Sequence, residues 1–135
     1  ILTTEYICTI IIKEERLMDK AKIAIFEDDA NLQKLLSRMI ERYEHQVVSH
    51  AMTMVQAREV IAGYNEDSID VAIVDGNLDG GYGGSDGAEV TRLLREKLSN
   101  VVIIGHSGGD NVVGVDFSVT KGDDPGKIPA FIGSI

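Results

Sequence analysis

From Lys22 onward, short apolar runs alternate with segments whose apolar residues recur every three or four positions. Ile23-Ala24-Ile25-Phe26 is a continuous apolar run closed by Glu27-Asp28-Asp29, which predicts a short buried strand. Leu32, Leu35, Leu36, Met39, Ile40 and Tyr43 follow at helical spacing, one apolar face of a helix about three turns long. Gln46-Val47-Val48-Ser49 predicts a second strand. Thr53-x-x-Gln56 is a capping box, opening a helix with Ala57, Val60, Ile61 and Tyr64 on one face and Gly63 near its end. Ile69 to Val74 predicts a third strand, ended by Asp75-Gly76, and a glycine-rich loop then runs to Gly87. Asp86-x-x-Glu89 can start the next helix, with Val90, Leu93, Leu94 and Leu98 inward. Val101-Val102-Ile103-Ile104 predicts a fourth strand and Val115 to Thr120 a fifth, with a short helix after Pro125.

Strand and helix alternate, and the strands are near-continuous in apolar residues. Such strands are covered on both faces, which implies an α/β protein with a parallel sheet wrapped by helices. Right-handed crossovers make it an open, doubly wound sheet of five strands. There is no internal repeat, and Gly80-Gly81-Tyr82-Gly83-Gly84 is the one low-complexity piece.

Composition narrows the function classes. The length of 135 residues fits one domain with a real core. The net charge of −9 argues against non-specific binding to nucleic acid or to an anionic membrane, and suits a cation site or a basic partner. A single cysteine, Cys8, excludes an internal disulfide and a cysteine-rich zinc site. No apolar run is long enough for a membrane helix. A cytoplasmic protein is the expectation. Residues 1–20 stand apart: Ile1 to Ile12 is apolar and β-branched, then Lys13-Glu14-Glu15-Arg16 is charged, without the features of a signal peptide. This N-terminal extension is an added strand or a loose tail, or else a translated leader. Lys-Glu-Glu can be written AAG-GAG-GAG, which resembles a ribosome-binding site ahead of a start at Met18. The domain proper is 21–135.

In open α/β sheets, ligands sit beyond the carboxyl ends of the strands. Glu27 and Asp28 follow the first strand, Asp75 the third, Ser107 the fourth and Lys121 the fifth. Carboxylates placed together repel unless a cation shares them. Oxygen-only ligands suit Mg²⁺, which keeps positions for a phosphate. A lysine and a hydroxyl beside it can hold the other oxygens of a phosphoryl group, and an aspartate is a competent nucleophile for one. Each feature also has a plainer reading. Glu27-Asp28-Asp29 can be a solvated helix start, Asp75-Gly76 a turn, Ser107 a loop hydroxyl and Lys121 a surface lysine. His106 reads as packing or exposed, Tyr82 as an exposed ring, and His45 and His50 show no partner spacing.

From Lys22 to about Lys121 the chain resembles a receiver domain of two-component response regulators. The matching pieces are Ile25-Phe26-Glu27-Asp28-Asp29, Val71-Ala72-Ile73-Val74-Asp75, Val101-Val102-Ile103-Ile104-Gly105-His106-Ser107 and Thr120-Lys121, in that order and each at a strand end. The resemblance implies the flavodoxin-like strand order 2-1-3-4-5. It implies Asp75 as phosphoacceptor, with Mg²⁺ on Asp28, on Asp75, on the backbone carbonyl of Asn77 and, through water, on Glu27. Ser107 and Lys121 match the hydroxyl and lysine that grip the phosphoryl group, and Gly108 a position kept small for access. A histidine kinase or phosphotransfer protein is the implied donor. Signalling is then by contact with a downstream protein, without direct nucleic-acid or membrane binding. Such a protein catalyses its own phosphorylation and dephosphorylation rather than turning over an external substrate.

Three departures from the family pattern stand out. Asp79 occupies the place of a usual proline after the acceptor, ahead of a longer, glycine-rich loop. Residues 108–120 are too few for a full helix plus the fifth strand, so the helix the family places there is expected to be short or absent. Ser118 aligns with the usual switch aromatic, Phe117 is one place off and on the opposite strand face, and Gly122 follows Lys121 where proline is usual. These losses fall on the family's usual output surface. A degenerate receiver acting as a constitutive protein-binding module is therefore the alternative. A Mg²⁺-dependent phosphohydrolase or topoisomerase-primase-like domain is a weaker one, because Asp75-Gly76-Asn77 lacks the second carboxylate of Asp-x-Asp.

Overall fold

The computed structural model describes residues 20–79, 85–109, 111–124 and 126–134. The expectations for residues 1–19 and for Tyr82 in the glycine piece lie outside the described residues. Strands β1 (Lys22–Phe26), β2 (Gln46–Ala51), β3 (Val71–Asp75), β4 (Val102–Ser107) and β5 (Phe117–Thr120) form one sheet in the order β2-β1-β3-β4-β5. Every pairing is parallel. Helices α1 (Ala30–Arg42) and α4 (Lys127–Ser134) cover one face, and α2 (Met54–Ala62) and α3 (Ser85–Lys97) cover the other. This is the expected doubly wound fold.

Alternation along the strands builds two cores. Ile23 and Ile25 of β1 and Val71 and Ile73 of β3 meet Leu36, Ile40, Ile128 and Ile132. Ala24, Phe26, Ala72 and Val74 point the other way, toward Ala57, Ile61, Val90 and Leu94. A strand buried on both faces must be apolar at every position, which is why these segments read as unbroken runs. On β1, β3 and β4 the first polar residue after the run therefore lies at or next to the strand's carboxyl end.

Several expected boundaries and faces shift. On α1, Leu36 and Ile40 are buried, whereas Leu35 is 41% and Tyr43 51% exposed. At 100° per residue Leu35 lies off the stripe that reaches the sheet, and Tyr43 is the C-cap, past the last helical residue. β2 continues to Ala51, β4 spans Val102–Ser107, and β5 starts at Phe117 rather than Val115. α3 starts at Ser85, so Asp86 lies inside its first turn instead of preceding it.

None of the described residues between β4 and β5 is helical. Val112, 4% exposed, fills the space instead, packing onto β4 at Gly105, where a Cβ would meet Val112 Cβ at 3.2 Å. Arg95 holds this connection to α3. Its guanidinium donates to Val101 O at 3.0 Å and to Gly114 O at 3.1 Å, and pairs with Asp116 at 3.0 Å. Asp116 in turn accepts from the Ile103 amide at 2.8 Å. Gly114 turns the chain at φ +88°, where a side chain would be strained.

Candidate functional site

Glu27, Asp28, Asp75, Ser107 and Lys121 all emerge at the carboxyl edge of the sheet. Asp75 continues the alternation of Val71 and Ile73, and pairs in register with His106 of β4, while Ser107 pairs with Thr120. One carboxylate oxygen from each of Glu27, Asp28 and Asp75 lies within 4.8 Å of the others. Glu27 is 1% exposed and Asp75 6%. Lys121 reaches back across the sheet, its Nζ 3.0 Å from Asp75 Oδ2 and 3.2 Å from Glu27 Oε1. The Lys121 amide donates to Ser107 O at 2.9 Å, so the lysine and the hydroxyl residue move as one piece of backbone. Gly108 faces Lys121, where a Cβ would make ordinary contact at 3.9 Å.

The electrostatics are those of a site short of positive charge. Burial pushes the Glu27 carboxyl up to about 8, reinforced by the charge of Asp75 and a hydrogen bond to it. Burial alone would lower Lys121, but hydrogen bonds and charge from Asp75 and Glu27 outweigh it and its pKa is raised. Among the described residues Lys121 supplies the ammonium, paired with two of the three clustered carboxylates. An all-oxygen donor set with excess negative charge fits a hard divalent cation such as Mg²⁺.

The chain belongs to the response regulator receiver family. The family model for the response regulator receiver domain matches residues 23–121, most of the chain. Solved structures of receivers share the fold. One is the receiver domain of PhyR from Erythrobacter litoralis, 20% identical, covering 87% of this chain and 90% of its own, at a TM-score of 0.65. Another is the BeF3-activated receiver domain of DrrB, a Thermotoga maritima protein, 21% identical, covering 85% and 96%, at 0.67. A third is the receiver domain of the sensor histidine kinase PA1611 from Pseudomonas aeruginosa PAO1, 18% identical, covering 85% and 96%, at 0.69. That structure holds a magnesium ion in its active-site cleft. A search of curated proteins found no significant match.

Residues beyond those marked in the sequence surround the cluster. Asp29 is the N-cap of α1, accepting from the amides of Asn31 at 2.9 Å and Leu32 at 3.1 Å, and its own amide donates to Glu27 Oε1 at 3.2 Å. Asp86, expected as a cap, instead accepts from the Leu78 amide at 3.1 Å. Gly87 donates to Gly76 O at 2.9 Å. A Cβ on Gly87 would lie 2.5 Å from Asp75 O, so α3 approaches the end of β3 only because this residue has no side chain. The adjacent Asp86-Gly87 pair at a helix start was the available signal. Of the two readings open for His106, packing or exposed, the structure gives packing, at 3% exposure with Nδ1 lacking a hydrogen-bond partner. Burial, followed by the charge of Lys121, lowers its pKa. His45, to which no role was assigned, is buried and accepts from the Ala21 amide through Nδ1 at 3.3 Å.

Proposed function

We propose that this receiver accepts a phosphoryl group on Asp75 from a phosphohistidine of a histidine kinase or phosphotransfer protein, with Mg²⁺ bound, and signals by protein contact. The observation that carries this reading is the three carboxylates gathered within 4.8 Å, with Lys121 bridging two of them. An Asp75 carboxylate oxygen attacks phosphorus, the P–N bond to the donor imidazole breaks, and the imidazole keeps the electron pair and takes a proton from water. Lys121 and the Ser107 hydroxyl hold phosphoryl oxygens, and Gly108 leaves room for them. Asp28, Asp75, the Asn77 carbonyl and, through water, Glu27 would hold Mg²⁺, which would supply a fixed divalent charge for the transferring group.

Two further features support the reading. Among the described residues no helix is long and apolar enough to cross a membrane, in keeping with a cytoplasmic signalling protein. Lys34, Arg38 and Arg42 form an exposed row on α1, which begins directly after Asp28 and Asp29. Such a row gives an acidic partner surface a place beside the site.

Incubation with acetyl phosphate and Mg²⁺ tests the proposal. The parent protein should gain one hydroxylamine-sensitive phosphoryl group, and Asp75→Asn should gain none while keeping its fold. A parent protein that takes no phosphoryl group would instead be a constitutive binding module, and undiminished labelling of Asp75→Asn would move the acceptor elsewhere.

A further inference from the structure

The loop that leaves β3 after Asp75 is anchored at several points. Gly76 O accepts from the Gly87 amide at 2.9 Å and the Leu78 amide donates to Asp86 Oδ2 at 3.1 Å, both from the first turn of α3. The Leu78 side chain is fully buried. The Asn77 amide points back to Asp75 Oδ1 at 3.4 Å. The far end is held differently. Asp79 adopts φ +57°, and its Oδ2 accepts from the Met54 amide at 3.0 Å.

Met54 is the first residue of α2, and its amide is one of those a helix cannot satisfy from within. The local caps are already in use: Thr53 takes the Gln56 amide at 3.1 Å and Gln56 takes the Met52 amide at 2.8 Å. Asp79 therefore supplies an acceptor from the other side of the site, and its negative charge is favoured at the helix N-terminus. Its backbone also explains why proline is missing here. A proline ring holds φ near about −65°, which is incompatible with the observed turn.

We propose that Asp79 is a positioning residue for the cation site, its carboxylate tying the 76–79 loop to α2 so that the Asn77 carbonyl is held in metal-binding position. This role rests on the proposed function above. The 76–79 loop is thus stiffened by a side-chain tether between two parts of the fold.

Titration calorimetry with MgCl2 on the full chain, with amide hydrogen exchange on the metal-free protein, tests it. Asp79→Asn keeps an acceptor oxygen and tolerates positive φ, so its Mg²⁺ dissociation constant should stay within about twofold of the parent. Asp79→Gly keeps the turn and loses the tether. It should bind Mg²⁺ about fivefold more weakly and exchange faster at Met54 and Leu78. Its phosphorylation by acetyl phosphate should need more Mg²⁺ for half-maximal rate yet reach the same maximum. Asp79→Pro should bind more weakly than Asp79→Gly. Parent-like affinity in Asp79→Gly, or in a folded Asp79→Pro, overturns the positioning role. A parent protein that binds no Mg²⁺ overturns the proposed function, and this role with it.

Discussion

The two ends of the sheet are built to different standards. Around β1 and β3, nearly every strand residue is buried, and helices pack on both faces. Around β5, four residues form an edge strand with three exposed, and the described residues of the β4–β5 connection are not helical. The first region carries the carboxylates, and the second carries Lys121 at its end. The contrast teaches that the carboxylates sit on strand ends locked in the middle of the sheet, while Lys121 reaches them from the edge strand. The edge tolerates the loss of a helix because Val112 and Arg95 close the gap.

The strongest test of the central region is Gly87→Ala. An alanine inside a helix is normally favoured over glycine by about 1 kcal/mol. Here its Cβ would fall 2.5 Å from Asp75 O and 2.9 Å from Gly76 Cα, both backbone atoms that cannot swing aside. Urea unfolding should show a net loss of about 2 kcal/mol or more, and Mg²⁺ binding should weaken with it. A stabilised variant with parent-like Mg²⁺ affinity would show that α3 does not press on the acceptor strand.

The pH dependence separates the regions next. Glu27 has a folded pKa raised from 4.5 to about 8, so between those values the folded protein binds more protons than the unfolded chain. Metal-free stability should therefore rise as pH falls from about 9 to 7. His45 and His106 are shifted the opposite way, down from 6.5, so below about 6.5 the unfolded chain binds the extra protons at these two and their contribution opposes that of Glu27. The rise in melting temperature caused by Mg²⁺ should be larger at high pH, where no proton competes at Glu27. A Mg²⁺ effect that is flat with pH would remove Glu27 from the site.

Arg95→Ala probes the edge. It deletes two hydrogen bonds to backbone carbonyls and a half-exposed ion pair. Chemical denaturation should register about 1.5 kcal/mol lost. Hydrogen exchange should quicken in 111–116 while Mg²⁺ affinity stays at the parent value. Weakened Mg²⁺ binding would mean that the two regions are coupled through Val112. The smallest effect is expected from Phe117→Ser. It loses the edge-to-face contact with Phe131, whose ring centroid is 4.5 Å away, at about 1 kcal/mol. Phosphorylation by acetyl phosphate should proceed at the parent rate, and a marked change would show that the edge does report to Asp75.

Glu27, Asp28, Asp75, Ser107 and Lys121 were legible without coordinates. Each is at or just past the polar end of an apolar run, and in a parallel sheet all such ends share one edge. The missing helix was legible too, because the span from Ser107 to Lys121 is too short to hold one. Asp79, Asp86 and Gly87 were not legible as parts of the site. Asp79 meets an amide 25 positions earlier, and Gly87 matters only because the Asp75 carbonyl passes beside it. Leu35 and Tyr43 repeat the helical period as faithfully as Leu36 and Ile40, yet only the sheet's position decides which are covered. Hydrophobic period and strand-end chemistry are local properties of a chain, so the order of elements and the candidate carboxylates follow from the sequence alone. Which turn is tied to which helix, and how far Glu27 departs from an ordinary carboxyl, depend on distances across the fold. Those were decided when distant segments packed together.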